Sequence, residues 1–133
     1  MKIFIDSDVV ISSLISQKGA AYQLLNLDTM VTKVVSAVSL KELTVVTNRL
    51  GIERVLPKFE ICKIKNIEKY SEYSLDANDA HIIAGADQSN SRFLITYNLR
   101  HYKIDKIKRD FEIIIMIPGI FLQYLRLGGE MLN

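Results

Sequence analysis

The chain is poor in the residues that staple, clamp or span. Cys62 is its only cysteine, so no intrachain disulfide can form, and a reducing cytoplasm is the expected compartment. Its two histidines, His81 and His101, show no zinc-ligand spacing. No glycine-rich phosphate loop is present, since the pair Gly128-Gly129 lies near the end and reads as fraying chain. No Ser-His-Asp order can be argued. The longest apolar region, Ile113 to Leu125, is broken by Pro118, Gly119 and Gln123 and is too short to cross a membrane. The apolar start breaks at Asp6, too soon for the core of a signal peptide. Charge is nearly balanced, with a formal net charge of +2. That balance permits nucleic-acid binding without demanding it. The 133 residues contain no repeat, low-complexity tract or linker, so one domain over residues 1–133 is expected.

What is present begins with Lys2-Ile3-Phe4-Ile5-Asp6-Ser7-Asp8. A continuous apolar run of this kind predicts a strand buried on both faces, in the middle of a parallel sheet. The first polar residue after such a strand emerges at the carboxyl edge, where open α/β sheets bind ligands. Asp6 is therefore expected at the mouth of a cleft. A carboxylate against a buried strand is costly unless it has a partner or a metal. Asp8 reads mainly as the cap of a following helix.

Along the chain, Val9 to Leu27 predicts two short helices or one bent one. Met30 to Val35 predicts a second strand, and Ala37 to Leu50 a helix stopped by Gly51. A helical turn is expected within Ile52 to Lys58, while Phe59 to Ile67 fits an edge strand or a loop equally. Asp76 to Ala86 opens a helix, Phe93 to Thr96 is a buried strand, and Leu99 to Asp110 reads as a charged connection. Phe111 to Ile117 is a last strand, and Pro118 begins the last helix. The alternation predicts a three-layer α/β/α sandwich around a mostly parallel central sheet.

Three acids share a pattern in this layout. Asp6 follows the first strand, Glu42 lies early in the helix after the second, and Asp79 lies in the first turn of a later helix. Asn98, directly after a strand, stands at the same edge. Carboxylates clustered without thiol or imidazole ligands suit a hard cation such as Mg2+ or Mn2+. A cation held so, with open water positions, suits phosphodiester hydrolysis. Each acid also has a structural reading. Ser39-Leu40-Lys41-Glu42 matches a capping box, and Asp76 with Asp79 matches an N-cap followed by an acid favoured by the helix dipole. Asn98 fits a turn. The basic stretch Arg100 to Arg109, interleaved with Tyr97 and Tyr102, could touch phosphates or stack bases, or be a solvated face.

Together the stretches Ile3 to Asp8, Ser36 to Leu43 with Glu42, Asn78 to Ala86 with Asp79, Phe93 to Asn98 and the tail Phe111 to Leu125 resemble the PIN domain, the nuclease fold of VapC-type toxins. The resemblance implies a Mg2+- or Mn2+-dependent endoribonuclease. It assigns Asp6 and Asp79 to the metal, maps a middle acid to Glu42, and maps a fourth acid to Asn98. Ser7 matches a supporting hydroxyl. An amide at position 98 keeps a ligand oxygen but loses the charge. The resemblance also implies an RNA substrate, a small antitoxin partner and a homodimer. Two other readings are carried forward. One is a PIN-like module that binds RNA or protein without cutting. The other is a small haloacid-dehalogenase-like phosphatase, suggested by Asp6-Ser7-Asp8 but lacking that family's acidic pair at a later strand end.

Overall fold

Ile3, Phe4 and Ile5 are inaccessible to solvent in the computed structural model, which describes residues 1–27, 31–52 and 58–128. They form β1 (Lys2–Ile5), the central strand of a five-stranded sheet of order β3-β2-β1-β4-β5. The other strands are β2 (Thr32–Ser36), β3 (Glu60–Cys62), β4 (Phe93–Ile95) and β5 (Ile114–Met116), and every pairing is parallel. The chain crosses from β1 to β2 and β3 on one side, then returns to β4 and β5 on the other. The strand order therefore reverses at β1, which opens a crevice outside the carboxyl ends of β1 and β4.

Alternation along the strands divides the core into two layers. Ile3, Ile5, Phe93 and Ile95 face α1 (Ser7–Ile15), α2 (Ala20–Leu25) and α6 (Pro118–Arg126), together with Leu43 of α3 (Ala37–Leu50). Phe4, Val34 and Leu94 face α4 (Ala80–Gln88), α5 (Ile104–Phe111) and Tyr70 of a 3-10 segment, Ile67–Tyr73. This is the expected α/β/α sandwich. No helix among the described residues is long and apolar enough to cross a membrane.

Gly85 shows why α4 carries small residues. A Cβ built there would lie 2.6 Å from Cζ of Phe4, which is itself fully buried. Gly85→Ala should therefore overpack the layer by about 1–3 kcal/mol. The better helix propensity of alanine offsets about 1 kcal/mol of that. The expected net loss is about 0–2 kcal/mol, read from urea midpoints at unchanged m.

The structure corrects several sequence expectations. Leu99 to Asp110 is not merely a connection, because it contains α5, whose Ile107 is fully buried. Two parallel neighbours need a long crossover, usually helical, and α5 supplies it between β4 and β5. It consumes Phe111, so the last strand starts only at Ile114. The second strand runs Thr32–Ser36 rather than from Met30, which lies outside the described residues. The helical turn expected within Ile52 to Lys58 falls largely on residues 53–57, also outside them. The ambiguous segment resolves into a short edge strand, β3, followed by a loop. That loop is tied to α4 by Gln88, which accepts from Lys65 N at 2.9 Å and donates to Lys65 O at 2.6 Å. Two helices, not one bent one, follow β1, separated at Gly19, whose φ of 106° lies in the region that favours glycine.

Candidate active site

Asp6 leaves β1 in extended conformation and caps α1, its Oδ1 accepting from Ser7 N at 2.7 Å. Its backbone N–H donates to Ile95 O, which pins it beside the end of β4. Its other oxygen, Oδ2, accepts from the Thr96 hydroxyl at 3.0 Å and the Tyr102 hydroxyl at 2.9 Å. The carboxylate is buried and holds three donors.

Asp8 is not the cap. It lies in the first turn of α1 and reaches across to β4, where its Oδ2 accepts from Tyr97 N at 2.9 Å. Its Oδ1 is buried with no hydrogen-bond partner. Burial, followed by the nearby charge of Asp6, pushes its pKa from 3.8 to about 6. The Thr96 hydroxyl lies 3.5 Å from Asp8 but 3.0 Å from Asp6, so its single proton serves Asp6.

Asp79 ends a short 3-10 turn, Ala77–Asp79, directly before α4. Asp76 caps that turn, its Oδ1 accepting from Asn78 N at 2.9 Å. The Asp79 side chain caps nothing, is half-buried, and sits with Oδ2 3.2 Å from Nδ1 of His101. Desolvation raises its pKa, His101 opposes the rise, and the charge of Asp6 adds to it. Asp8 and Asp79 thus each fall within the electrostatic reach of Asp6 at the switch point of the sheet. Tyr102 stands among all three charges, and burial first and Asp6 second drive its pKa upward, so the phenol stays a donor.

Glu42 is less central than expected. It is exposed on α3, and its one ionic neighbour among the described residues is His81, with Nε2 3.9 Å away. The capping-box reading also fails, because Ser36, not Ser39, caps α3. The Ser36 hydroxyl oxygen accepts from Ser39 N at 2.9 Å. His81 Nδ1 is buried without a partner. Asn98 starts a 3-10 turn, Leu99–His101, and its backbone N–H donates to Thr96 Oγ1 at 3.0 Å. Its side chain is exposed. Ser7, expected to support the site, has a buried hydroxyl with no partner.

Among the described residues, no three His, Cys, Asp or Glu side chains are arranged to enclose a metal ion. Asp6, Glu42 and Asp79 therefore do not gather around a single ion position as the sequence suggested. The donor set still suits a hard cation: Asp6, Asp8 and Asp79 offer only oxygens, and one of them, Asp8 Oδ1, is buried without a hydrogen-bond partner. Mg2+ is commonly bound by one or two carboxylates and keeps several waters, so a closed cage is not required.

Sequence reading missed Asp8, Thr96 and Tyr102 as parts of this site. Tyr102 stood out only as an aromatic among basic residues. An antiparallel bridge to Ser74 turns it inward. Tyr102→Phe removes one of three donors from a buried carboxylate. A hydrogen bond to a charged group contributes about 1.5–3 kcal/mol. The variant should lose stability of that order at neutral pH in urea unfolding.

A PIN domain family model matches residues 2–100. The fold is similar to that of a chain in VapBC2 from Rickettsia felis bound to a DNA fragment from their promoter. That match has 18% identity and a TM-score of 0.60, covering 88% of this chain and 98% of that one. It is also similar to a chain in a toxin–antitoxin complex from Klebsiella pneumoniae. There the identity is 25% and the TM-score 0.64, over 87% of this chain and 97% of that one. No curated protein matches the sequence.

Proposed function

This chain belongs to the PIN-domain family, and on that premise we propose that it is a divalent-cation-dependent endoribonuclease acting as the toxin of a toxin–antitoxin pair. The observation that carries the proposal is that Asp8 and Asp79, distant from each other in sequence, both lie within reach of the charge of Asp6 at the switch point. Burial first and Asp6 next raise the pKa of Asp8, and burial with a contribution from Asp6 raises that of Asp79. Asp6 and Asp79 are the proposed direct ligands of Mg2+ or Mn2+, with Glu42 acting through water. A bound cation would supply an acidified water nucleophile and offset the charge developing on the phosphate oxygens. Thr96 and Tyr102 hold the Asp6 carboxylate in one orientation. His101 does the same for one oxygen of Asp79. Asn98 offers the phosphate a neutral amide at the rim.

The likeness to VapBC2 and to the Klebsiella complex supports a small antitoxin as partner. An RNA substrate, a second copy of the chain and a cytoplasmic location complete the proposal. The test is incubation of the purified protein with single-stranded RNA and Mn2+ or Mg2+, with a chelator in a parallel arm. Cleavage that needs the cation supports the reading, and cleavage indifferent to the chelator contradicts it.

The neutral Asn98 and the exposed, outlying Glu42 favour one alternative, a PIN-like module that binds RNA or protein without cutting. Absence of cleavage, together with absence of calorimetric heat on Mn2+ addition, would select it. The phosphatase reading is set aside. The family match excludes it, and β4 is followed by Thr96-Tyr97-Asn98 with no acidic pair.

A further inference from the structure

Tyr97 and Tyr102 flank the same turn and look alike in sequence, yet the fold treats them in opposite ways. Tyr102 is 5% exposed and spends its hydroxyl on Asp6. Tyr97 is 44% exposed and is the only one of the six tyrosines that is exposed. Neither its ring nor its hydroxyl has a partner among the described residues. By contrast, the hydroxyls of Tyr70 and Tyr73 bond Asp87 and Asp110.

The Tyr97 backbone is fixed nonetheless. Its N–H donates to Asp8 at 2.9 Å, and Thr96 and Asn98 on either side are linked to each other by the Asn98 N–H to Thr96 Oγ1 bond. A free aromatic ring therefore stands on a rigid backbone, one residue from the hydroxyl that holds Asp6. Two further features of the rim point the same way. Arg100, three residues on, is exposed and has no carboxylate partner among the described residues. Leu75, 73% exposed, is held to this segment by its N–H bond to His101 O at 2.8 Å.

We propose that Tyr97 is a stacking platform for the nucleobase beside the scissile phosphate, with Arg100 on the adjoining backbone phosphate. The inference rests on the ribonuclease reading. An aromatic face takes any unpaired base, whereas a cation follows the phosphates. Stacking of this kind is measured at about 1–3 kcal/mol per base, or about 5- to 150-fold in affinity. As a positioning residue, Tyr97 should move substrate affinity and KM more than kcat.

The test uses the full chain carrying Asp6→Asn, so that bound RNA is not cut, and a short single-stranded RNA with a fluorescein end label or an internal 2-aminopurine. Tyr97→Ala in this background should weaken binding about fivefold or more and abolish the quenching of 2-aminopurine that stacking causes. Tyr97→Phe should restore both. Binding by the alanine variant within about twofold of its parent overturns the proposal. So does a phenylalanine variant as weak as the alanine one, because the hydroxyl and not the ring would then be responsible. If the unaltered protein fails to cleave RNA with any divalent cation while the Tyr97-dependent quenching persists, the stacking site stands and the nuclease reading falls.

Discussion

Asp6→Asn is expected to reduce cation-dependent RNA cleavage by more than about 100-fold. Loss of a group that merely supports a metal ligand commonly costs 10- to 100-fold, and Asp6 is proposed as a ligand itself. The fold should survive the change. Asn keeps an oxygen for Ser7 N, and the hydroxyls of Thr96 and Tyr102 can turn to accept from the new amide. Removal of the charge also relieves its repulsion of Asp8. The variant should therefore be inactive yet folded. A comparison of single-turnover cleavage and thermal unfolding on one preparation checks both halves. An Asp6→Asn protein that cuts RNA at the parent rate refutes the assignment.

Asp8→Asn is expected to trade function for stability. The Asp8 carboxyl has a pKa of about 6 in the folded chain against 3.8 for the free group. Between those values the folded state binds more protons than the unfolded state, so Asp8 lowers stability progressively as pH rises from about 4 to about 6. Above that range the deficit is constant. Scaled for partial solvent screening, it is about 1–2 kcal/mol, or a few degrees in Tm for a chain of this length. Asp8→Asn should therefore match the parent near pH 4 and exceed it by that amount near pH 7.5. Cleavage should meanwhile drop by about tenfold or more. Added Mn2+ should raise the parent's Tm more than the variant's, because only the parent has that repulsion to neutralise. Equal stability differences at both pH values would contradict this account of Asp8.

These two aspartates also show how much of the molecule could be read from its residues. Ile3-Phe4-Ile5 followed by Asp6 was legible, because a both-faces-buried strand has few other ways to look and its end has few other places to be. The α/β/α layering followed from the same alternation. Asp8 was not legible. An acid in the first turn of a helix has a sufficient local explanation, and only its partner 89 residues away, Tyr97 N, shows that it faces the site. Helix α5 was hidden for a different reason. Ile104, Ile107 and Phe111 carry the helical spacing, but six charged residues surround them across residues 103–110, and the helix stops without glycine. Glu112 instead takes a φ of 59°. Glu42 erred the other way. Its position in the helix after β2 is as expected, but the rotation of α3 leaves its side chain exposed beside His81 rather than among the aspartates.

The most direct test of the central claim is an anomalous difference map from a crystal soaked in Mn2+. The account predicts a peak in the crevice outside the carboxyl ends of β1 and β4, with Asp6 and Asp79 as protein ligands and water filling the remaining positions. A well-ordered crevice with no peak at millimolar Mn2+, or a cation bound only away from both side chains, would contradict it.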